Sequence, residues 1–138
     1  ESKKIHVYGI DINNKKRTKK ILNEIFEKYD FSFFDLIIDD GSHYLSDILF
    51  SLKALFRYVK KGGIYIIEDF KYPNYYEQNR NIEHILVDQV LKNLQEKRLF
   101  NSNIIKNDDQ VYLQNNISKI AIYKGNLKDS DICFIEKI

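Results

Sequence analysis

The 138-residue sequence predicts an α/β domain, a mostly parallel sheet closed by a C-terminal antiparallel hairpin. Three observations predict it. First, Phe34 to His43 runs through the continuous apolar patch Leu36-Ile37-Ile38 into Asp39, Asp40, Gly41, Ser42 and His43. An apolar run without alternation reads as a strand buried on both faces of a parallel sheet. Second, Lys60 to Asp69 reads as a helix stop, then an apolar strand, then Glu68 and Asp69. Between the two, Ile48, Leu49, Leu52, Leu55, Phe56 and Val59 mark one face of a helix over 46–59. Third, Ile117 to Tyr123 and Ile132 to Ile138 are apolar runs joined by a short turn-rich segment, the signature of a hairpin.

Strand, helix, strand implies a right-handed crossover between neighbouring parallel strands. Both carboxylate pairs, Asp39-Asp40 and Glu68-Asp69, then lie at the carboxyl ends of those strands. That edge is where open α/β sheets bind their ligands. Gly41 allows a sharp exit from the first strand, because it carries no Cβ to clash at positive φ.

The rest of the chain follows in order. Ile5 to Ile12 reads as a strand ending in Asp11, with Asn13 and Asn14 as loop. Lys15 to Tyr29 is an amphipathic helix, with Ile21, Leu22, Ile25 and Phe26 at helical spacing. Residues 70–81 hold the single proline and the aromatics Phe70, Tyr72, Tyr75 and Tyr76, a loop over the sheet edge that could serve as a lid. Residues 82–98 return to helix. Residues 101–116 are polar and weakly periodic, an irregular connection with one short strand at 111–113.

Charge and composition exclude several classes. With 22 basic and 20 acidic residues, a net charge of +2 gives no reason to expect a nucleic-acid or membrane partner. The basic run Lys15, Lys16, Arg17, Lys19 and Lys20 reads as a solvated helix face. The single cysteine, Cys133, excludes an internal disulfide and suits a reducing cytoplasm. It lies in an apolar strand, as a small core residue does. No apolar run approaches the roughly 20 residues that span a bilayer. No signal peptide is visible. The chain contains no methionine and opens on Glu1, so a processed or cut piece of a longer product is expected.

Four carboxylates at one sheet edge repel one another unless a cation sits among them. Each could be blander: Asp and Gly are favoured at strand exits, and His43 could be an idle helix-start residue. Asp39 has the opposite alternation to Asp40, and either touches a ligand or secures the next helix. Ser42 lacks a Gly-x-Ser-x-Gly elbow and reads as a turn residue. His6 and His84 read as ordinary strand or surface histidines.

Laid out this way, the chain resembles the class I S-adenosylmethionine-dependent methyltransferases, and among them the metal-dependent sugar and macrolide O-methyltransferases. The likeness rests on Ile38-Asp39-Asp40-Gly41-Ser42-His43 and on Gly62-Gly63-Ile64-Tyr65-Ile66-Ile67-Glu68-Asp69. It implies a Rossmann-like fold and an O-methyltransferase that acts on a hydroxyl of a sugar or glycan precursor, with S-adenosyl-L-methionine and Mg²⁺ as cofactors. It implies Asp40, Glu68 and Asp69 as metal ligands, His43 as general base and Asp11 on the cofactor ribose. Asp39 is expected near the cofactor. The resemblance also implies a homo-oligomer. Elementary chemistry agrees: a sugar hydroxyl needs its pKa lowered by a bound cation and a nearby imidazole to take its proton.

The sequence departs from the family at two places, one of them the segment before Lys19 that normally supplies a further strand, which is shortened or missing. At the other, the first sheet strand and its glycine-rich, cofactor-cradling turn are absent, so an incomplete catalytic domain is expected. Two other classes stay open. One is a different metal-dependent sugar or nucleotide-sugar enzyme without a methyl donor. The other is a non-catalytic methyltransferase-like interaction module.

Overall fold

The computed structural model describes residues 14–29, 32–75 and 81–138. The strand expected over 5–12, with Asp11 and His6, lies outside them. The chain divides into two compact units, residues 1–32 and residues 33–138. In the first, α1 spans Lys15–Tyr29, as its periodicity requires. Asn14 opens it: its carboxamide oxygen accepts from Arg17 N at 3.0 Å, which satisfies one free amide of the first turn. Leu22 and Ile25 are buried, whereas Lys16, Arg17, Lys19 and Lys20 are exposed, the solvated basic face expected.

The second unit holds a four-stranded sheet in the order β1-β2-β4-β3, formed by Phe34–Asp39, Val59–Ile67, Ile132–Lys137 and Ile117–Tyr123 respectively. β1 and β2 pair in parallel, whereas β2–β4 and β4–β3 are antiparallel. Among the described residues the sheet is therefore mixed rather than mostly parallel. The hairpin forms where the sequence predicts it.

β1 connects to β2 through α2, Leu45–Leu55, and a single 3₁₀ turn, Phe56–Tyr58. The helix stops earlier than its apolar spacing suggests, and Val59 already pairs with Phe34. Lys60 to Gly63 are thus not a helix stop. They bulge out of β2, because the next paired residues are Leu36 and Ile64. Gly62 has φ +72°, open only to glycine without strain, and a Cβ on Gly63 would lie 2.8 Å from the Asp35 carbonyl oxygen.

Register sorts the side chains onto two faces. Ile37, Tyr65, Ile135 and Ile120 form one cross-strand row, and Ile67 and Cys133 extend the same face. Tyr65, Ile67, Cys133 and Ile135 are fully buried there. α2 lies on this face, since Phe56 at its end packs edge-on to Tyr65 at 6.3 Å between centroids. Leu36 and Ile64 belong to the opposite face, and so does Ile38. Leu36 is 49% exposed and Ile38 52%, so the expected burial of β1 on both faces does not hold. The helices of this unit that reach the sheet share one side of it.

α3 spans Val87–Gln95, shorter than the helix expected over 82–98. It ends in a Schellman arrangement: Lys97 takes φ +54°, with Lys97 N donating to Leu94 O and Arg98 N to Asn93 O. Ahead of it, buried Glu83 accepts from His84 N, Ser102 Oγ, Asn103 N and Ile104 N, and so stitches the approach to α3 to the segment after it.

The irregular connection expected over 101–116, with a strand at 111–113, is instead partly helical. α4 spans Asn107–Asn116. Its buried face is Gln110, Leu113 and Gln114, so two of the three inward residues are polar and the apolar period vanishes. Those glutamines are satisfied: Gln110 bonds Phe100 and Ile105, and Gln114 donates to Arg98 O. Asp108 and Asp109 sit in the first turn, where the helix dipole favours them.

Candidate functional site

β1 ends at Asp39, and Glu68 N donates to Asp39 O at 3.0 Å, which carries the parallel ladder one step past β2. The two carboxylate pairs therefore emerge side by side at the carboxyl edge, as the strand-helix-strand pattern predicts. From each pair the chain turns sharply. His43 and Asp69 both have left-handed backbones, φ +57° and +49°. Only one other non-glycine residue among those described does the same. A left-handed residue with a Cβ costs roughly 1–2 kcal/mol, and such residues persist where their surroundings hold them, often at functional sites.

Those two turns bring three groups together. One ligand atom each from Asp40, His43 and Asp69 lie within 4.8 Å of one another. His43 Nε2 stands 3.7 Å from Asp40 Oδ1 and 3.8 Å from Asp69 Oδ2. The His43 ring is half-buried, with the Tyr72 ring tilted beside it at 5.9 Å. Glu68, expected as a third carboxylate ligand, is not one of the three. Asp11, expected on the cofactor ribose, lies outside the described residues.

Asp40 and Asp69 offer carboxylate oxygens that would suit a hard divalent cation, His43 offers a nitrogen beside them, and the partial exposure of the cluster would leave room for water or an acceptor hydroxyl. Ser42 orders the connecting turn: its hydroxyl donates to the Asp47 carboxylate and accepts from Tyr44 N. Asp47 stands in the first turn of α2, where the dipole favours its charge.

Asp39 faces elsewhere. It shares the buried parity of Tyr65, whose hydroxyl donates to Asp39 Oδ2 at 3.3 Å and stands 2.8 Å from Ser51 Oγ on α2. Burial pushes the Asp39 carboxyl above its usual value, against the Ser51 and Tyr65 hydrogen bonds and the nearby His43. Burial and the neighbouring Asp39 charge push the Tyr65 phenol well up in turn. Through the Tyr65 hydroxyl the contact ties the last residue of β1 to Ser51 in the middle of α2, and Asp39 does not cap that helix. A hydroxyl amid the apolar run Ile64-Tyr65-Ile66-Ile67 was the one signal for this network.

The loop that follows Asp69 only partly fits the expected lid. Phe70 is fully buried and belongs to the core. Residues 72–75 form a 3₁₀ turn beside His43, and residues 76–80 lie outside the described ones.

No family model matches the chain. Two curated relatives do: demethylmacrocin O-methyltransferase of Streptomyces fradiae and mycinamicin VI 2''-O-methyltransferase of Micromonospora griseorubida. Each is 35% identical over 77 residues, which is 46% of this chain and 19% of the relative. The chain thus spans about a fifth of the length of the curated relatives it matches. Among solved structures, MycE methyltransferase from the mycinamycin biosynthetic pathway, in complex with Mg and SAH, superposes with a TM-score of 0.54 at 27% identity. The match covers 86% of this chain and 28% of that one. The complex of the same enzyme with Mg, SAH and mycinamycin VI gives the same TM-score, 0.54, and identity, 27%. The resemblance read from the two strand-end motifs is borne out: this chain is a homologue of the macrolide O-methyltransferases and carries a class I methyltransferase fold.

Proposed function

We propose that the chain is the site-bearing part of an S-adenosylmethionine-dependent O-methyltransferase that moves a methyl group onto a hydroxyl of a sugar or glycan precursor. The observation that carries this reading is the cluster of Asp40, His43 and Asp69 at the β1–β2 edge. It sits in a homologue of an enzyme solved with Mg, SAH and a macrolide. Asp40 and Asp69 would hold a divalent cation, with Glu68 adjacent, and His43 would accept the acceptor's proton at Nε2. Asp11, and Asp39 at the end of β1, remain the residues assigned to the cofactor side.

When bound, the cation lowers the pKa of a coordinated hydroxyl and the sulfonium donor supplies the methyl together with its own leaving group. What the protein adds is alignment and deprotonation. The left-handed turns at His43 and Asp69 aim an imidazole and a carboxylate at one point. Tyr72 shields one side of the imidazole. Cys133, buried and free, is in keeping with a reducing compartment, the cytoplasm.

A second reading of one residue has its own support. His43 Nε2 stands nearly equidistant from both carboxylates, which also fits a third metal ligand. The test is methyl transfer from labelled S-adenosylmethionine to sugar-bearing acceptors, run with Mg²⁺ and with EDTA, on the chain and on His43→Ala. Mg²⁺-dependent transfer lost in His43→Ala, with Mg²⁺ binding retained, supports the base. Loss of Mg²⁺ binding together with transfer supports the ligand. Cation binding with no affinity for S-adenosylhomocysteine would turn the reading toward a metal-dependent sugar or nucleotide-sugar enzyme. Activity unchanged in His43→Ala and Asp40→Ala would favour a non-catalytic module.

A further inference from the structure

The turn that carries Glu68 and Asp69 leaves β2 and meets the connection between β3 and β4 at three points. Phe70 N donates to Asp131 O at 3.4 Å. Lys71 Nζ lies 2.7 Å from Asp131 Oδ2, and the Asp131 side chain is only 6% exposed. Tyr75 Oη donates to Lys128 O at 3.1 Å, and Lys128 Nζ stands 3.7 Å from the Tyr75 ring centroid. The proposed chemistry uses none of these groups.

A carboxylate this buried is costly unless it is paired. The Lys71 ammonium beside it holds the Asp131 carboxyl below its ordinary range, with help from a Gly125 backbone amide. So the pair is a charged tie, made within two residues of Asp69. Asp69 itself has φ +49°, and Tyr72 N donates back to Asp69 O at 2.9 Å. A left-handed aspartate keeps that conformation only while its neighbours hold it.

We propose that Lys71 and Asp131 are positioning residues, which fasten the 68–75 turn to the β3–β4 connection and so hold the Asp69 carboxylate against Asp40 and His43. The inference rests on the reading of that cluster as a divalent-cation site. It requires that cutting the pair weaken cation binding although neither residue belongs to the cluster. Groups behind a metal ligand carry about 10–100-fold in affinity when removed.

The test measures Mn²⁺ binding to the 138-residue chain by electron paramagnetic resonance of the free ion, well below the unfolding temperature. The variants are Asp40→Asn, Asp131→Asn, Lys71→Gln, the double Lys71→Gln/Asp131→Asn, and Glu83→Gln as a control. Glu83→Gln breaks a buried carboxylate network that includes no cluster residue. Asp40→Asn should abolish binding. Asp131→Asn and Lys71→Gln should each weaken it about 10-fold, and the double variant should lose little more than either single one. Glu83→Gln should lower the melting temperature and leave Mn²⁺ affinity unchanged. Binding that is lost in Asp40→Asn but unchanged in folded Asp131→Asn or Lys71→Gln would overturn the brace alone. So would a loss in Glu83→Gln as large as theirs, because affinity would then merely track stability. No Mn²⁺ binding by the unsubstituted chain would overturn the cluster reading and this inference with it. Should Asp131→Asn fail to fold, Lys71→Gln carries the test by itself.

Discussion

Replacing Glu83 by glutamine is the sharpest test of how the second unit is held together. Glu83 is 1% exposed, yet its two carboxylate oxygens accept from four donors. The distances run from 2.8 Å to Ser102 Oγ to 3.1 Å to Ile104 N. Hydrogen bonds to a charged acceptor are worth about 1.5–3 kcal/mol, against about 0.5–1.5 for neutral ones. Glutamine keeps one acceptor oxygen and turns an amide NH₂ toward amides that also donate. Two or more donors lose a partner, each at about 1–3 kcal/mol if it stays buried. A loss of about 3 kcal/mol at pH 7 follows, a large fraction of the ~5–15 kcal/mol that stabilises a domain.

The pH dependence fixes the mechanism. Burial alone would raise the Glu83 carboxyl, but hydrogen bonds from Asn103, Ser102, His84 and Ile104 outweigh it and hold the group below its ordinary value. A depressed carboxylate contributes stability that is full above the unfolded value, about 4.3, and is lost as pH falls through the folded one. Glu83→Gln should therefore cost most at pH 7, and the gap to the unsubstituted chain should narrow steadily below pH ~4.3. Urea unfolding of both proteins at pH 7 and at stepwise lower pH reads this directly. A cost below about 1 kcal/mol at pH 7, or a gap that stays constant into acid, would show that the charged Glu83 network does not stabilise this unit.

Two further outcomes follow from the backbone and the core. Lys97→Gly should stabilise the chain by about 1 kcal/mol, a rise of roughly 3 °C in melting temperature. Lys97 holds φ +54° at the end of α3, and glycine takes that conformation without a Cβ clash; an unchanged or lower melting temperature would count against it. Burial pushes the Cys133 thiol up to about 12, so it should resist a thiol reagent at pH 8 in the folded chain and react fully in urea. Rapid labelling of the native chain would show that β4 is not the buried strand described.

How far the sequence carried depended on the kind of signal. α1, α2, β1, β2 and the hairpin were legible because apolar spacing and turn residues agreed. The neighbouring carboxylate pairs followed from chirality and strand order alone. α4 was hidden because Gln110 and Gln114 do inside the protein what leucines do elsewhere. Gly62 and Gly63 read as a helix end, whereas a bulge against β1 uses the same freedom of φ. Exposure of Leu36 and Ile38 depends on which side the helices take, and β1 alone does not encode that. At the site, residue types brought Asp39, Asp40, His43, Glu68 and Asp69 to one edge, but that Asp40, His43 and Asp69 meet while Glu68 stays out is a tertiary outcome of two left-handed turns. Nothing near Asp69 in the sequence pointed to Asp131. A buried ion pair between distant segments leaves no local pattern.

Asp40, His43 and Asp69 are proposed to form a divalent-cation site in this methyltransferase homologue. Calorimetric titration of the chain with Mg²⁺, repeated on Asp69→Asn, tests it most directly. Saturable binding by the chain and none by Asp69→Asn is expected, with the melting temperature of the variant little changed. Failure of the folded chain to bind Mg²⁺, or equal binding by Asp69→Asn, would contradict it.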